Sequence, residues 1–292
     1  MEQVELLLKR KDIDINLIDF SGRTPLHIAA EENFFHIGKL LIANKANVNL
    51  IGKYGKTALH CIAEENYYRK ANQLEFAKLL LDKGSALEAR MHDGQTALHV
   101  ASNSYNWEMV MFLIEQGADI NALDDDGSTA LTSPVLDYNY EITQALIKVG
   151  ADANISFLHE TQIGYYSRYQ TFLLHQIVSN IDMVKLLVQF GKVDVNSRNQ
   201  YGMTPLHLCC DLQVMCFLLQ NGGDYTLKDV FGRTPLDFAR SVHDSKVICH
   251  YLQIVSLAMT LLSCREIARL GARSKFSALP FELIRQVILA LI

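Results

Sequence analysis

Five histidines recur along the chain, at His27, His60, His99, His175 and His207. Imidazole is the side chain best suited to general acid–base work near neutrality, and it is a common metal ligand. Either role needs fixed companions: a nucleophile and an orienting carboxylate, or further ligands at metal-binding spacing. The sequence offers none. It contains no Gly-x-Gly-x-x-Gly, Walker loop, His-Glu-x-x-His or Gly-x-Ser-x-Gly. The six cysteines, Cys61, Cys209, Cys210, Cys216, Cys249 and Cys264, form no Cys-x-x-Cys pair and no zinc spacing with histidine. They are expected as small buried hydrophobes in a reducing compartment. Asp124-Asp125-Asp126 lacks the spaced ligands and terminal Glu of a calcium loop. The expectation is a chain with no catalytic residue, no metal and no cofactor.

The histidines instead belong to a repeated element that must position them. Gly22-Arg23-Thr24-Pro25-Leu26-His27-Ile28-Ala29-Ala30 returns as Gly55-Lys56-Thr57-Ala58-Leu59-His60-Cys61-Ile62-Ala63 and as Gly94-Gln95-Thr96-Ala97-Leu98-His99-Val100-Ala101. Shorter versions begin at Gly127, Gly202 and Gly232. Thr24 and Thr57, like Thr96 and Thr129, lie 33 residues apart. A second apolar run follows each motif, as in Lys39-Leu40-Leu41, Lys78-Leu79-Leu80-Leu81, Phe112-Leu113-Ile114 and Lys185-Leu186-Leu187. Each threonine reads as an N-cap, with Pro25, Pro205 and Pro235 at the first helical position. Gly84, Gly117, Gly150, Gly191 and Gly222 read as the left-handed residues that end the second helix.

Motif, period and turn together resemble the ankyrin repeat across residues 1–254. The resemblance implies an all-α solenoid of stacked helix pairs with short β-hairpin fingers, its histidines bonding backbone between adjacent fingers. The parse is a partial first unit, holding only a second helix at Val4–Leu8, then units at 17–49, 50–88, 89–121, 122–154, 155–196, 197–226 and 227–254. The family binds other proteins, so the expected partner is a target protein held on the finger or concave face by a monomeric chain.

Departures from the repeat are where specificity is expected. Thr57 and Thr96 are 39 residues apart, and the excess around Tyr68–Gln73 predicts a lengthened loop between two helices. Residues 155–171 replace a short finger and bring Tyr165, Tyr166 and Tyr169. Such insertions are either contact loops or tolerated surface additions. The ladder Phe35, Tyr68, Trp107 and Tyr140 is expected in the core, where the family has leucine. Phe34, Tyr67, Tyr105 and Tyr138 are expected at the surface, with Tyr67, Tyr105 and Tyr138 as target contacts beside the hairpin tyrosines. Glu31 and Glu64, each followed by a second acid, are read either as solvated surface or as attraction for a basic partner segment.

After Leu252 the repeat stops. Residues 255–292 carry five basic side chains and two acids, a net +3 that leaves −8 on residues 1–254 against a total of −5. Leu279-Pro280-Phe281-Glu282-Leu283-Ile284-Arg285 resembles the opening helix of an F-box, as in the PRANC region of poxvirus-type ankyrin proteins. Ser263-Cys264-Arg265 followed by Leu279-Pro280 is also similar to a SOCS box. Both resemblances imply docking onto a cullin-RING ubiquitin ligase through a Skp-type or elongin adaptor, by Leu279, Pro280, Glu282, Leu283 and Ile288. The other reading is a helical tail that only caps the last repeat. The charge pattern lacks the basic stripe of a nucleic-acid binder, and the longest nearly apolar run, Ile254–Ser263, is too short to span a bilayer. With no signal peptide at Met1–Glu5, a cytoplasmic location is expected, with the nucleus or a host cell after delivery as alternatives.

Overall fold

The computed structural model describes residues 2–10, 12–64, 71–160 and 168–242, which group into two compact units, Met1–Ala151 and Asp152–Ile292. The whole tail, with Leu279, Pro280, Glu282, Leu283 and Ile288, lies outside the described residues, as do Tyr67, Tyr68, Tyr165 and Tyr166.

The first unit opens with α1 (Glu2–Leu8) and continues as helix pairs: α2 (Pro25–Glu31) with α3 (Phe35–Ala43), α4 (Ala58–Ala63) with α5 (Gln73–Asp82), α6 (Ala97–Asn103) with α7 (Trp107–Glu115), and α8 (Thr132–Leu136) with α9 (Tyr140–Lys148). A helix of six or seven residues is too short to persist alone in water, so neighbouring pairs must stabilise it. The motif leucines Leu26, Leu59, Leu98 and Leu131 are buried, and each contributes about 2 kcal/mol by leaving water. Ala29, Ala30, Ala63 and Ala101 are also buried, and their small side chains let first helices of successive units approach closely. At Gly38, in the middle of α3, a Cβ would collide with the Phe76 ring of α5. A hydrogen side chain is what admits that ring to the core.

The second unit holds a two-stranded antiparallel hairpin, β1 (Ser156–Glu160) and β2 (Arg168–Phe172), with Ser156 opposite Phe172 and Leu158 opposite Gln170. It then runs through α10 (Leu173–Gln176) with α11 (Ile181–Phe190), α12 (Pro205–Leu208) with α13 (Leu212–Gln220), and α14 (Pro235–Val242). The hairpin occupies the place of a short finger. Its second strand ends at Phe172, which is also the residue preceding α10.

Several expectations need correction. Thr129 does not cap a helix: Ala130 and Leu131 form a turn, and α8 starts only at Thr132. Gly191 is right-handed (φ −80°), and Lys192 takes the left-handed place (φ 52°). Gly191 is small for another reason, because a Cβ there would press on the Leu187 carbonyl and Ala153. Phe35 and Trp107 are only half-buried and Tyr140 is exposed, so the described members of that ladder are not core. These residues open the second helix, and the deep positions fall two residues later, at Met109 and Ile142. Cys210 is exposed, because α12 stops at Leu208 and leaves it in the connection; Cys61 and Cys209 are buried as expected.

Gly84, Gly117, Gly150 and Gly222 have φ between 84° and 105°, whereas the first full helix pair places Lys45 (φ 69°) after α3. A Cβ at Gly117 meets nothing within 4 Å, so Gly117→Val tests backbone strain alone. The expected loss is about 1 kcal/mol or more, and Lys45→Gly should gain about 0.5 to 1 kcal/mol, both read by denaturant unfolding. An unchanged midpoint for Gly117→Val would show that left-handed closure is not limiting.

Candidate functional site: the finger row and its histidine bridges

Four of the five motif histidines are held from two sides. In the first full unit the Thr24 N–H donates to His27 Nδ1 at 3.2 Å, Thr24 Oγ1 lies 2.8 Å from the same nitrogen, and the His27 N–H donates to Thr24 Oγ1 at 3.3 Å. A backbone N–H can only donate, so Nδ1 is the acceptor and the proton sits on Nε2. That Nε2–H donates to the Lys56 carbonyl of the next finger at 3.0 Å. The same bridge runs from His60 to the Gln95 carbonyl (3.2 Å) and from His99 to Ser128 (3.2 Å). In the second unit it runs from His175 to Met203 (2.9 Å) and from His207 to Arg233 (3.0 Å).

Two motifs deviate. Thr132 stands where a histidine would, and its Oγ1 accepts the Thr129 N–H at 3.0 Å. Phe172 replaces the capping threonine ahead of His175, leaving His175 Nδ1 buried with no hydrogen-bond partner among the described residues.

Burial lowers the pKa of all five histidines, to about 4 for His60 and His175. In His27, His60, His99 and His207 a proton on Nδ1 would also face the threonine N–H. The imidazoles are therefore neutral structural bridges. The buried thiols of Cys61 and Cys209 are pushed up to about 12, which removes them as nucleophiles. Among the described residues no group of three or more His, Cys, Asp or Glu could hold a metal.

The fingers are locked by Asx turns and cross-finger bonds. Asp19 Oδ1 accepts from the Ser21 and Arg23 N–H groups, and Asp124, Asn199 and Asp229 repeat the pattern. The His92 N–H donates to the Tyr54 carbonyl, Asp125 to Asp93, and Val230 to Tyr201, each at 3.0 Å. After the second helices an asparagine clamps the corresponding turn of the next pair: Asn49 donates to the Gly84 carbonyl and accepts from Ala86, and Asn196 does the same with Gly222 and Asp224.

With the backbone so satisfied, the finger tips present aromatic side chains. In the first unit Phe20 is fully exposed and Tyr54 is 59% exposed; in the second Phe231 is 71% exposed, with Tyr201 at the margin of exposure. Each lies one or two residues before the motif glycine, a signal in the sequence that the repeat reading passed over. Tyr54 also adopts a left-handed conformation (φ 61°). Behind these first tips lies a concavity of about 200 Å³, lined by Arg23, Glu31, Lys53, Tyr54, Lys56 and Cys61 among others.

The acids expected to attract a partner are engaged here within the chain. Glu31 accepts from Arg23 and Glu64 from Lys56, both at 2.8 Å, each pairing residues eight apart in one unit. Tyr138 is exposed and Tyr105 half-buried, with the Tyr105 hydroxyl donating to Asp137 at 2.7 Å. Both lie on the turns between helices, away from the finger row. Tyr169 is half-buried against His159 and Tyr201, and its hydroxyl accepts from Gln176 at 3.0 Å.

These features, stacked helix pairs with locked fingers and histidine bridges, define a repeat-built binding scaffold. The ankyrin-repeat pattern in three copies matches residues 1–91 and 69–157, and ankyrin repeats in many copies match 186–239. The chain belongs to the ankyrin-repeat family, whose members serve as protein–protein interaction modules. The ankyrin repeat domain of Bcl-3, described as a unique member of the IkappaB protein family, superposes with a TM-score of 0.63 at 25% identity, covering 80% of this chain and 99% of that one. Alpha-latrocrustotoxin-Lt1a of Latrodectus tredecimguttatus is 36% identical over 66 residues, 22% of this chain and 5% of the toxin. The match thus spans a small part of that protein.

The histidine pKa values set a pH dependence. All five are depressed, so the folded chain refuses protons that the unfolded chain accepts below about pH 6.5. Stability is complete above that pH and falls as pH drops towards 4, by at most about 1.4 kcal/mol per pH unit for each histidine. Urea unfolding between pH 7 and 4.5 should show proton uptake by more than one group, and His99→Gln should reduce the slope. A flat profile to pH 4.5 would contradict neutral bridges.

Proposed function

We propose that the chain is a target receptor for ubiquitin ligation: the finger row holds a protein, and residues 255–292 recruit a cullin-RING ligase through a Skp-type or elongin adaptor. The observation that carries the binding half is the pair of exposed aromatic tips in the first unit, Phe20 and Tyr54, on a backbone whose own hydrogen bonds are already made. Rigid aromatic side chains give contact area at low entropic cost, and such residues dominate interface energetics. Support for the ligase half comes from the sequence, in the Leu279-Pro280-x-Glu282-Leu283 element and the basic balance of the tail.

The test is an affinity pull-down with mass spectrometry on the full chain and two double variants. Phe20→Ala with Tyr54→Ala should lose the target at least about tenfold while keeping the adaptor, since truncating central aromatic anchors costs 2 kcal/mol or more, roughly a factor of thirty. Leu283→Asp with Ile288→Asp should lose the adaptor and keep the target. A wild-type chain that captures neither Skp nor elongin, together with a lowered Tm for the tail variant, would leave a plain ankyrin scaffold whose tail is a cap.

A further inference from the structure

Residues 91–147 contain nine acids and no lysine or arginine, although the chain as a whole carries 27 basic side chains. The same stretch carries an unusual pair of inter-helix turns. In the two preceding helix pairs the left-handed residue of this turn is asparagine, Asn33 (φ 48°) and Asn72 (φ 63°). In the next two it is tyrosine, Tyr105 (φ 56°) and Tyr138 (φ 58°). Asparagine accepts this conformation readily, whereas a bulky aromatic residue there is strained.

Each tyrosine opens a Tyr-Asn-aromatic triplet, Tyr105-Asn106-Trp107 and Tyr138-Asn139-Tyr140, 33 residues apart. The asparagines cap the second helices, Asn106 accepting from the Met109 N–H and Asn139 from Ile142. The aromatic residues flank these caps at the surface: Tyr138 is 38% and Tyr140 42% exposed, with Tyr105 and Trp107 half-buried. Exposed carboxylates lie among them at Glu108, Asp137 and Glu141, and the Tyr105 hydroxyl holds Asp137 at 2.7 Å, tying one turn to the next.

We infer that this face, formed by the turns after α6 and α8, docks an arginine- or lysine-bearing segment of a partner protein. Aromatic faces attract cations, and guanidinium stacks on tyrosine while pairing with carboxylate, so both surface chemistries favour the same ligand. The stretch itself holds no lysine or arginine, so its net charge is complementary to such a segment. The inference rests on the proposed binding role and gives that role a partner chemistry on a surface distinct from the finger tips.

The test uses the full chain and a labelled octa-arginine peptide, with an octa-glutamate peptide as control, followed by fluorescence anisotropy at low and high salt. Octa-arginine should bind and octa-glutamate should not, with affinity falling as salt rises. Tyr105→Asn with Tyr138→Asn copies the preceding turns, so its Tm should be unchanged or higher. Its affinity should fall about tenfold. Glu115→Gln with Asp119→Asn removes equal charge elsewhere in the stretch and should have little effect beside Asp137→Asn with Glu141→Gln.

Equal affinity for the wild type and the tyrosine variant, or equal losses for both neutralised pairs, would mean diffuse attraction and overturn the inference. Cross-linking of Asp137 or Glu141 to Lys275 of the same molecule would also overturn it, placing the chain's own tail on the face. Because the finger-tip variants are read by target capture, the binding role can survive failure here. Loss of target only in the finger-tip variant would show that outcome.

Discussion

A neutral imidazole between two backbone groups is the constraint on which the other features depend. It accepts from the threonine that starts its own helix and donates to a carbonyl of the following finger, so the start of a helix is coupled to the position of the next unit. Helices of six or seven residues have too few internal bonds to stand alone. Coupling a cap to the neighbouring unit makes each helix conditional on the stack. Hydrophobic burial supplies most of the stabilisation, but leucine contacts are non-directional and would tolerate sliding. The bridge supplies the register.

Where the bridge is altered, the local structure changes with it. Thr132 in place of histidine satisfies the cap N–H but is too short to reach a neighbouring carbonyl, and α8 begins late and spans only Thr132–Leu136. Phe172 in place of threonine is accompanied by a β-hairpin and an orphaned Nδ1 on His175. The variation falls at 122–176, around the boundary between the two compact units.

The same constraint determines which side chains are available for binding. Histidines, threonines, finger aspartates and clamp asparagines are consumed by the scaffold. Glu31 and Glu64 are offset by Arg23 and Lys56. The aromatic finger tips and the acidic turns after α6 and α8 are the surfaces on which the proposed binding is placed. A common scaffold carrying different surfaces is how one fold can serve many partners.

The amino-acid sequence by itself determined the repeat, the capping threonines and prolines, the buried leucines and alanines, and the structural use of the histidines. Each of these is a local or periodic property, and a period of 33 residues is visible without coordinates. The insertion at 155–171 was visible by length, though its β-hairpin form was not. Depth was misjudged: Trp107 and Tyr140 stand where the family has a buried leucine, but burial depends on the rotation of the second helix, which packing selects. Glu31 and Glu64 read as open charge because their partners lie eight residues upstream, beyond helical i, i+4 spacing. Only the tertiary structure showed that Gly38 admits Phe76, that Lys192 rather than Gly191 turns left-handed, and that Tyr105 and Tyr138 occupy positions filled by asparagine elsewhere. These depend on backbone dihedrals and on contacts between distant residues, and side-chain type constrains both only weakly.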